Sequence, residues 1–192
     1  MRARCLPMIV VAVSIGGLVG CGATPNQSHT ASTWASSYCS ALSDWLTTLD
    51  AVSRGIVLQP ESTTLNITDL ETVSKQVSQA TGTLTDALAR AGRPESAAAP
   101  KVEATVAGLS SSLKRRSDAA VRAAKSNDRS ALAGFRRLQA VGMQVDRSLS
   151  DILSADSTIR GEDKTLARAL ASSQACKDFH SDVRNGTRHG NE

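Results

Sequence analysis

From Trp34 onward, apolar side chains return every three or four positions with polar ones between them, which is the period of a helix with one buried face. Trp34, Tyr38, Leu42, Trp45, Leu49, Val52 and Ile56 form the first stripe, with Cys39 and Leu46 beside it. Gln59-Pro60-Glu61-Ser62 interrupts the period. A second helix is announced by Thr68-Asp69-Leu70-Glu71, a capping box in which Thr68 and Glu71 satisfy free backbone donors. Its stripe is Leu70, Val73, Val77, Ala80, Leu84, Ala87 and Ala91, and Gly92 ahead of Arg93-Pro94 predicts its end.

The third stripe is Val102, Val106, Leu109, Leu113, Ala120 and Ala124, weakened where Arg116 or Ser117 falls on the seam. Ser126-Asn127-Asp128 reads as a tight turn into a fourth helix, whose apolar set is Leu132, Phe135, Leu138, Val141, Val145, Leu149 and Ile152. Ser154 to Asp163 reads as a polar connection containing Gly161. A last helix carries Leu166, Leu170, Phe179 and Val183, ending at Asn185-Gly186. No segment alternates with period two over a useful length, so the expected fold is all-α. Long helices with short connections predict an up-and-down antiparallel bundle of four to five helices over residues 34–186, with the last helix against the first and a polar tail over 187–192.

Ahead of Trp34 the pattern changes. Arg2 and Arg4 open the chain, a nearly unbroken apolar run extends from Leu6 to Val19, and small residues follow. This is the layout of an export signal, and the run is short for a bilayer-spanning helix, which needs roughly 20 apolar residues. Leu18-Val19-Gly20-Cys21 resembles the lipobox of bacterial lipoproteins, and the abundance of Arg over Lys makes the chain similar to the helical envelope lipoproteins of actinobacteria. The resemblance implies a signal peptide over 1–20, cleavage before Cys21, and a diacylglycerol thioether and acyl chains such as palmitate on that cysteine. It implies an exported protein anchored to the outer face of the cell membrane. Two or more acyl chains make such an anchor stable where one does not. Residues 21–33, polar and aperiodic, are then expected to be a flexible tether.

Once Cys5 leaves with the leader and Cys21 takes lipid, Cys39 and Cys176 remain in an oxidising compartment. They are expected to pair and join the two ends of the domain, with two buried thiols packed as small hydrophobes as the alternative. Closing so long a loop is worth about 4 to 5 kcal/mol in the chain-entropy limit.

Catalytic chemistry finds little support. The histidines are His29 in the tether, His189 in the tail and His180, which alone falls on a helix and is read first as a partly exposed polar residue. Cys176 and His180 share a helix face at a spacing that suits a metal. The remaining ligands would be Cys39 and a poor Asp178 or Asp182, so no metal and no cofactor are expected. Glycine-rich phosphate loops and Glu-x-x-His repeats are missing from the sequence.

Charge shows more pattern. Residues 101–137 hold nine basic residues against three acidic ones, while 41–90 are mildly acidic. Arg115, Arg116, Arg122, Arg129, Arg136 and Arg137 are the candidate contacts for an anionic partner: lipid headgroups, a wall polymer or an envelope protein. The competing reading is a solvated helical face. Nucleic acid is not expected, since no aromatic residues interleave the basic ones. Trp34, Tyr38 and Trp45 are read as core rings, with a pocket for an apolar ligand as the alternative. The expected function is therefore a non-catalytic binding or scaffold module of the envelope. A carrier of a small apolar ligand or lipid between helices comes second, and an enzyme resting on His180 third.

Overall fold

The computed structural model describes residues 28–54, 67–125 and 131–189. The expected leader, Cys21, the expected break at Gln59–Ser62, the expected turn at Ser126–Asp128 and Arg129 lie outside the described residues. Six helices occur among those described: α1 (Ala31–Arg54), α2 (Ile67–Arg90), α3 (Ala99–Ala124), α4 (Ala131–Glu162), α5 (Lys164–Ser172) and α6 (Gln174–His189). The fold is all-helical apart from one parallel pairing of two-residue strands, β1 (Ser28–His29) on β2 (Arg93–Pro94).

Local chemistry explains the boundaries. Thr30 caps α1 by accepting from the Thr33 amide at 3.3 Å, so the helix starts three residues before Trp34. The expected tether thus ends sooner: His29 offers its carbonyl to the Glu95 amide at 2.7 Å, which fastens the chain beside the end of α2. There Gly92 takes φ 64°, a left-handed conformation that only glycine adopts without cost, and its carbonyl accepts the Trp34 indole N–H at 3.0 Å.

Two expectations fail at the other end of the chain. The segment read as a polar connection, Ser154 to Asp163, is the last third of α4 down to Glu162. Ile152, Ala155, Asp156 and Ile159 keep helical spacing and are buried, while Ser154, Ser157 and Thr158 face outward. A carboxylate on the buried face had hidden the period. The expected single last helix is two, broken at Ser173, whose extended ψ of 127° ends α5. The four-to-five helix count therefore becomes six, and α6 passes through Gly186 to His189 where a polar tail was expected.

α3 packs along α4, α2 on α3, α1 on α2, and α1 also meets α5 and α6. The main core runs from Trp34, Tyr38 and Leu42 through Leu84, Leu113, Ile152 and Ile159 to Leu170 and Phe179. A smaller one gathers Leu70, Ala120, Ala124 and Val141. Phe135, expected on the apolar seam of the fourth helix, is instead half exposed. No helix among the described residues is long and apolar enough to cross a membrane.

Cys39 and Cys176 form a disulfide linking α1 to α6, with Cα atoms 4.9 Å apart across 137 positions of sequence. Both residues are fully buried.

Candidate functional site

The polar face that interrupts the α4 stripe is where the unusual chemistry gathers. Asp156 is only 3% exposed. Its Oδ2 accepts from the Arg160 Nε–H at 2.7 Å, one turn along α4, and lies 3.2 Å from His180 Nε2 on α6. Arg160 Nη2 stands 2.9 Å from the same imidazole nitrogen. A guanidinium nitrogen can only donate, so His180 Nε2 accepts the Arg160 Nη2–H, and its 3.2 Å approach to the Asp156 carboxylate is a proximity rather than a hydrogen bond. Asp156 Oδ1 is buried without a hydrogen-bond partner, as is the Tyr38 hydroxyl. Burial holds the Tyr38 phenol above its ordinary range; the Asp156 carboxylate adds to that rise and the Arg160 guanidinium offsets part of it.

This cluster forms the floor of a cleft of about 500 Å³ between α4, α5 and α6. Leu153 and Leu170 supply apolar wall, and Lys177 and Arg184 bring further cations from α6. Lys177, His180 and Arg184 recur at spacings of three and four, so one face of α6 presents all of them. Ser157 also lines the cleft but makes no hydrogen bond to His180, so a Ser-His-Asp relay is not assembled.

The basic hairpin comes apart when its residues are placed. Arg137 is buried, its Nε donating to Ala133 O at 3.1 Å and its Nη1 reaching Ala124 O at 3.5 Å, where α3 ends. Arg116 Nε pairs with Asp151 at 3.3 Å, and Asp151 also accepts from Ser112 at 2.5 Å. Lys101 pairs with Glu162 at 2.7 Å. Arg115, Arg122 and Arg136 remain exposed on the α3–α4 pair, so they alone among the described candidates keep an open position for an anionic partner. Arg116 and Arg137, offered for the same role, hold the helices instead.

The aromatic residues of α1 are buried. Trp34 stacks on Tyr38 with ring centroids 5.0 Å apart, and the Trp45 N–H donates to Thr81 at 3.4 Å. A surface groove of about 670 Å³ does run between α1 and α2, floored by Ala41, Trp45, Ala80 and Leu84 and edged by Asp44 and Arg90. Cys39 and Cys176 are spent on each other, and among the described residues no three His, Cys, Asp or Glu side chains gather to hold a metal.

The sequence reading named His180 and Tyr38 but missed Asp156 and Arg160. The available signal was the interval from Ile152 to Ile159, seven residues apart with Asp156 on the same face between them. A carboxylate continuing an apolar stripe marks a buried charge as readily as the end of a helix. No protein-family model, curated protein or solved structure matches the chain.

Proposed function

We propose that this chain is a non-catalytic lipoprotein of the cell envelope, anchored through lipid on Cys21 at the outer face of the membrane and presenting its helices as a binding module. The observation that carries the reading is the Cys39–Cys176 disulfide, because a fully buried bond across 137 positions belongs to a chain that matures where thiols oxidise. It agrees with a leader that ends in Leu18-Val19-Gly20-Cys21. The order of packing, each long helix on its sequence neighbour and α1 closing on α5 and α6, supports an up-and-down antiparallel bundle whose ends the disulfide joins. The cleft over Asp156 is the module's binding site. The exposed Arg115, Arg122 and Arg136 face the envelope's anionic lipid, wall polymer or protein.

Metabolic labelling with an alkyne-bearing palmitate tests the anchor. The label is expected on the wild-type protein and absent from Cys21→Ala, while Cys39 and Cys176 resist maleimide until a reductant is added. An unlabelled protein in the cytosol, retaining residues 1–20 and reacting with maleimide at both thiols, overturns the reading.

A second reading is favoured by the groove between α1 and α2, whose floor of small and apolar side chains would suit an acyl chain. A carrier purified in mild detergent retains a stoichiometric apolar ligand by native mass spectrometry; a binding module does not.

A further inference from the structure

The outer side of the α3–α4 pair carries an excess of cations. Along α4, Phe135, Gln139, Met143 and Arg147 recur every fourth residue and are all exposed, with Arg136 beside Phe135, while Arg137, Val141 and Ser148 are buried on the opposite side. Three contacts fix how α3 runs against this helix: Lys101 with Glu162, Arg116 with Asp151, and Arg137 with the Ala124 carbonyl. The two helices therefore run in opposite directions, and Arg115 comes level with Arg147, Arg122 with Met143 and Lys125 with Arg136. Lys114, Arg115, Arg122, Lys125, Arg136 and Arg147 are exposed, against the exposed acids Asp118 and Asp146. Among the described residues none of these six cations takes part in an ion pair.

Phe135 and Met143 are the large apolar side chains left exposed among the described residues, each at 49%. A single exposed apolar residue is ordinary, but these two share one face with Arg136 and Arg147, and α3 sets Arg115 and Arg122 alongside. Cations around apolar side chains are the make-up of helices that lie in the plane of a membrane interface, where the charges meet anionic headgroups and the apolar groups enter the acyl boundary. A charged wall polymer answers the cations but offers no apolar phase to Phe135 and Met143. The chain from Cys21 to Ser28 spans at most about 23 Å even when fully extended, so a lipid on Cys21 keeps the domain within reach of the bilayer. We propose that the outer face of α3 and α4 docks flat on an anionic phospholipid bilayer, with Arg115, Arg122, Arg136 and Arg147 on the headgroups and Phe135 and Met143 entering the interface. This deepens the reading of the chain as a membrane-anchored module and rests on it.

Quenching of tryptophan emission by brominated phosphatidylcholine tests the contact, because Trp34 and Trp45 are buried whereas position 135 is exposed. The full chain carrying Phe135→Trp is reconstituted in vesicles of that lipid with and without phosphatidylglycerol, and Met143→Trp repeats the measurement at a second position. Emission of the reporter should fall by about half on the anionic vesicles, stay unchanged on the neutral ones, and recover in high salt. Adding Arg115→Glu/Arg122→Glu/Arg136→Glu/Arg147→Glu should abolish the quenching, with circular dichroism confirming the helices in each variant. Equal quenching on both kinds of vesicle, quenching that survives the four reversals, or none on anionic vesicles overturns the proposal. Binding of soluble poly(glycerol phosphate) that the four reversals remove, without quenching on vesicles, assigns the face to a polymer and overturns the lipid. The mass of the protein from the same preparation shows whether Cys21 carries lipid, so failure of the anchor reading is recorded separately and the quenching still decides the surface.

Discussion

The region around the disulfide and the corner where α2, α3 and α4 meet bury their helices by different means. Around Cys39–Cys176 the core contains Trp34, Tyr38 and Phe179, each at most 1% exposed, with Trp34 and Tyr38 stacked. At the corner the buried apolar residues are Leu70, Ala120, Ala124 and Val141, with Leu138 and Ala123 half-buried beside them. Hydrophobic stabilisation follows the apolar area removed from water, and an aromatic ring removes several times the area of an alanine methyl. The first region is held by area and by a covalent bond. The second is held by close approach of helices and by one arginine, Arg137, reaching the carbonyl of Ala124 where α3 ends.

The largest effect expected from this contrast is loss of the disulfide. Cys39→Ser together with Cys176→Ser should lower the unfolding free energy by about 4 to 5 kcal/mol, as measured by urea denaturation with an unchanged native helical signal. Hydrogen exchange should then show α1 and α6 losing protection by the largest factor. A loss under 1 kcal/mol would remove the bond from the comparison. Next comes Phe179→Ala, which empties a fully buried position of the first core and should cost about 4 kcal/mol by the same measurement. If Leu70→Ala, expected near 2 kcal/mol because its neighbours are small, proves the costlier of the two, the contrast between the regions is reversed.

A finer comparison sets two adjacent arginines against each other. Arg137 is buried and donates to Ala133 O, while Arg136 is exposed. Arg137→Ala should cost about 1 to 2 kcal/mol, since it removes a charged donor from buried carbonyls, and Arg136→Ala should stay within about 0.5 kcal/mol. Equal costs would mean that Arg137 takes no part in closing the corner.

The contrast also accounts for what could be read from the sequence. Stripes rich in large apolar residues are legible: Trp34, Tyr38, Leu42 and Trp45 on α1, and Leu109 and Leu113 on α3, are buried as their spacing predicts. The end of α2 was legible too, because Gly92 needs the conformation that only glycine tolerates cheaply. Polar residues on buried faces were not. Ser74, Arg137 and Asp156 are all buried, and none of them belongs to an apolar stripe that a one-dimensional reading would assign to the core. Arg137 looked like part of a basic face, and Asp156 looked like the start of a loop. The candidate site was hidden for the same reason, since its partners Arg160 and His180 lie 4 and 24 positions from Asp156 and only tertiary packing brings the second one near.

The smallest expected effect lies at the junction of α4 and α5, at the edge of the first region. Asp163 follows α4, caps α5 by accepting from the amides of Thr165 and Leu166, and accepts the Ser96 hydroxyl at 2.8 Å near the start of α3. The Ser96 hydrogen bond first, and then the two amides, favour the ionised form and hold this carboxyl below its ordinary value of 3.8. A group whose pKa is lower in the folded state binds protons less readily there than in the unfolded chain. Its stabilisation is therefore complete above pH 3.8 and is lost as the pH falls through the depressed folded value. Asp163→Asn keeps an amide oxygen for the cap but cannot ionise. The melting temperatures of wild type and variant, followed by circular dichroism from pH 6 to pH 2, should differ most at the upper end and converge at the lower. Parallel curves would mean that the cap works through geometry alone, and that the charge on Asp163 contributes nothing to joining the disulfide region to the α3–α4 pair.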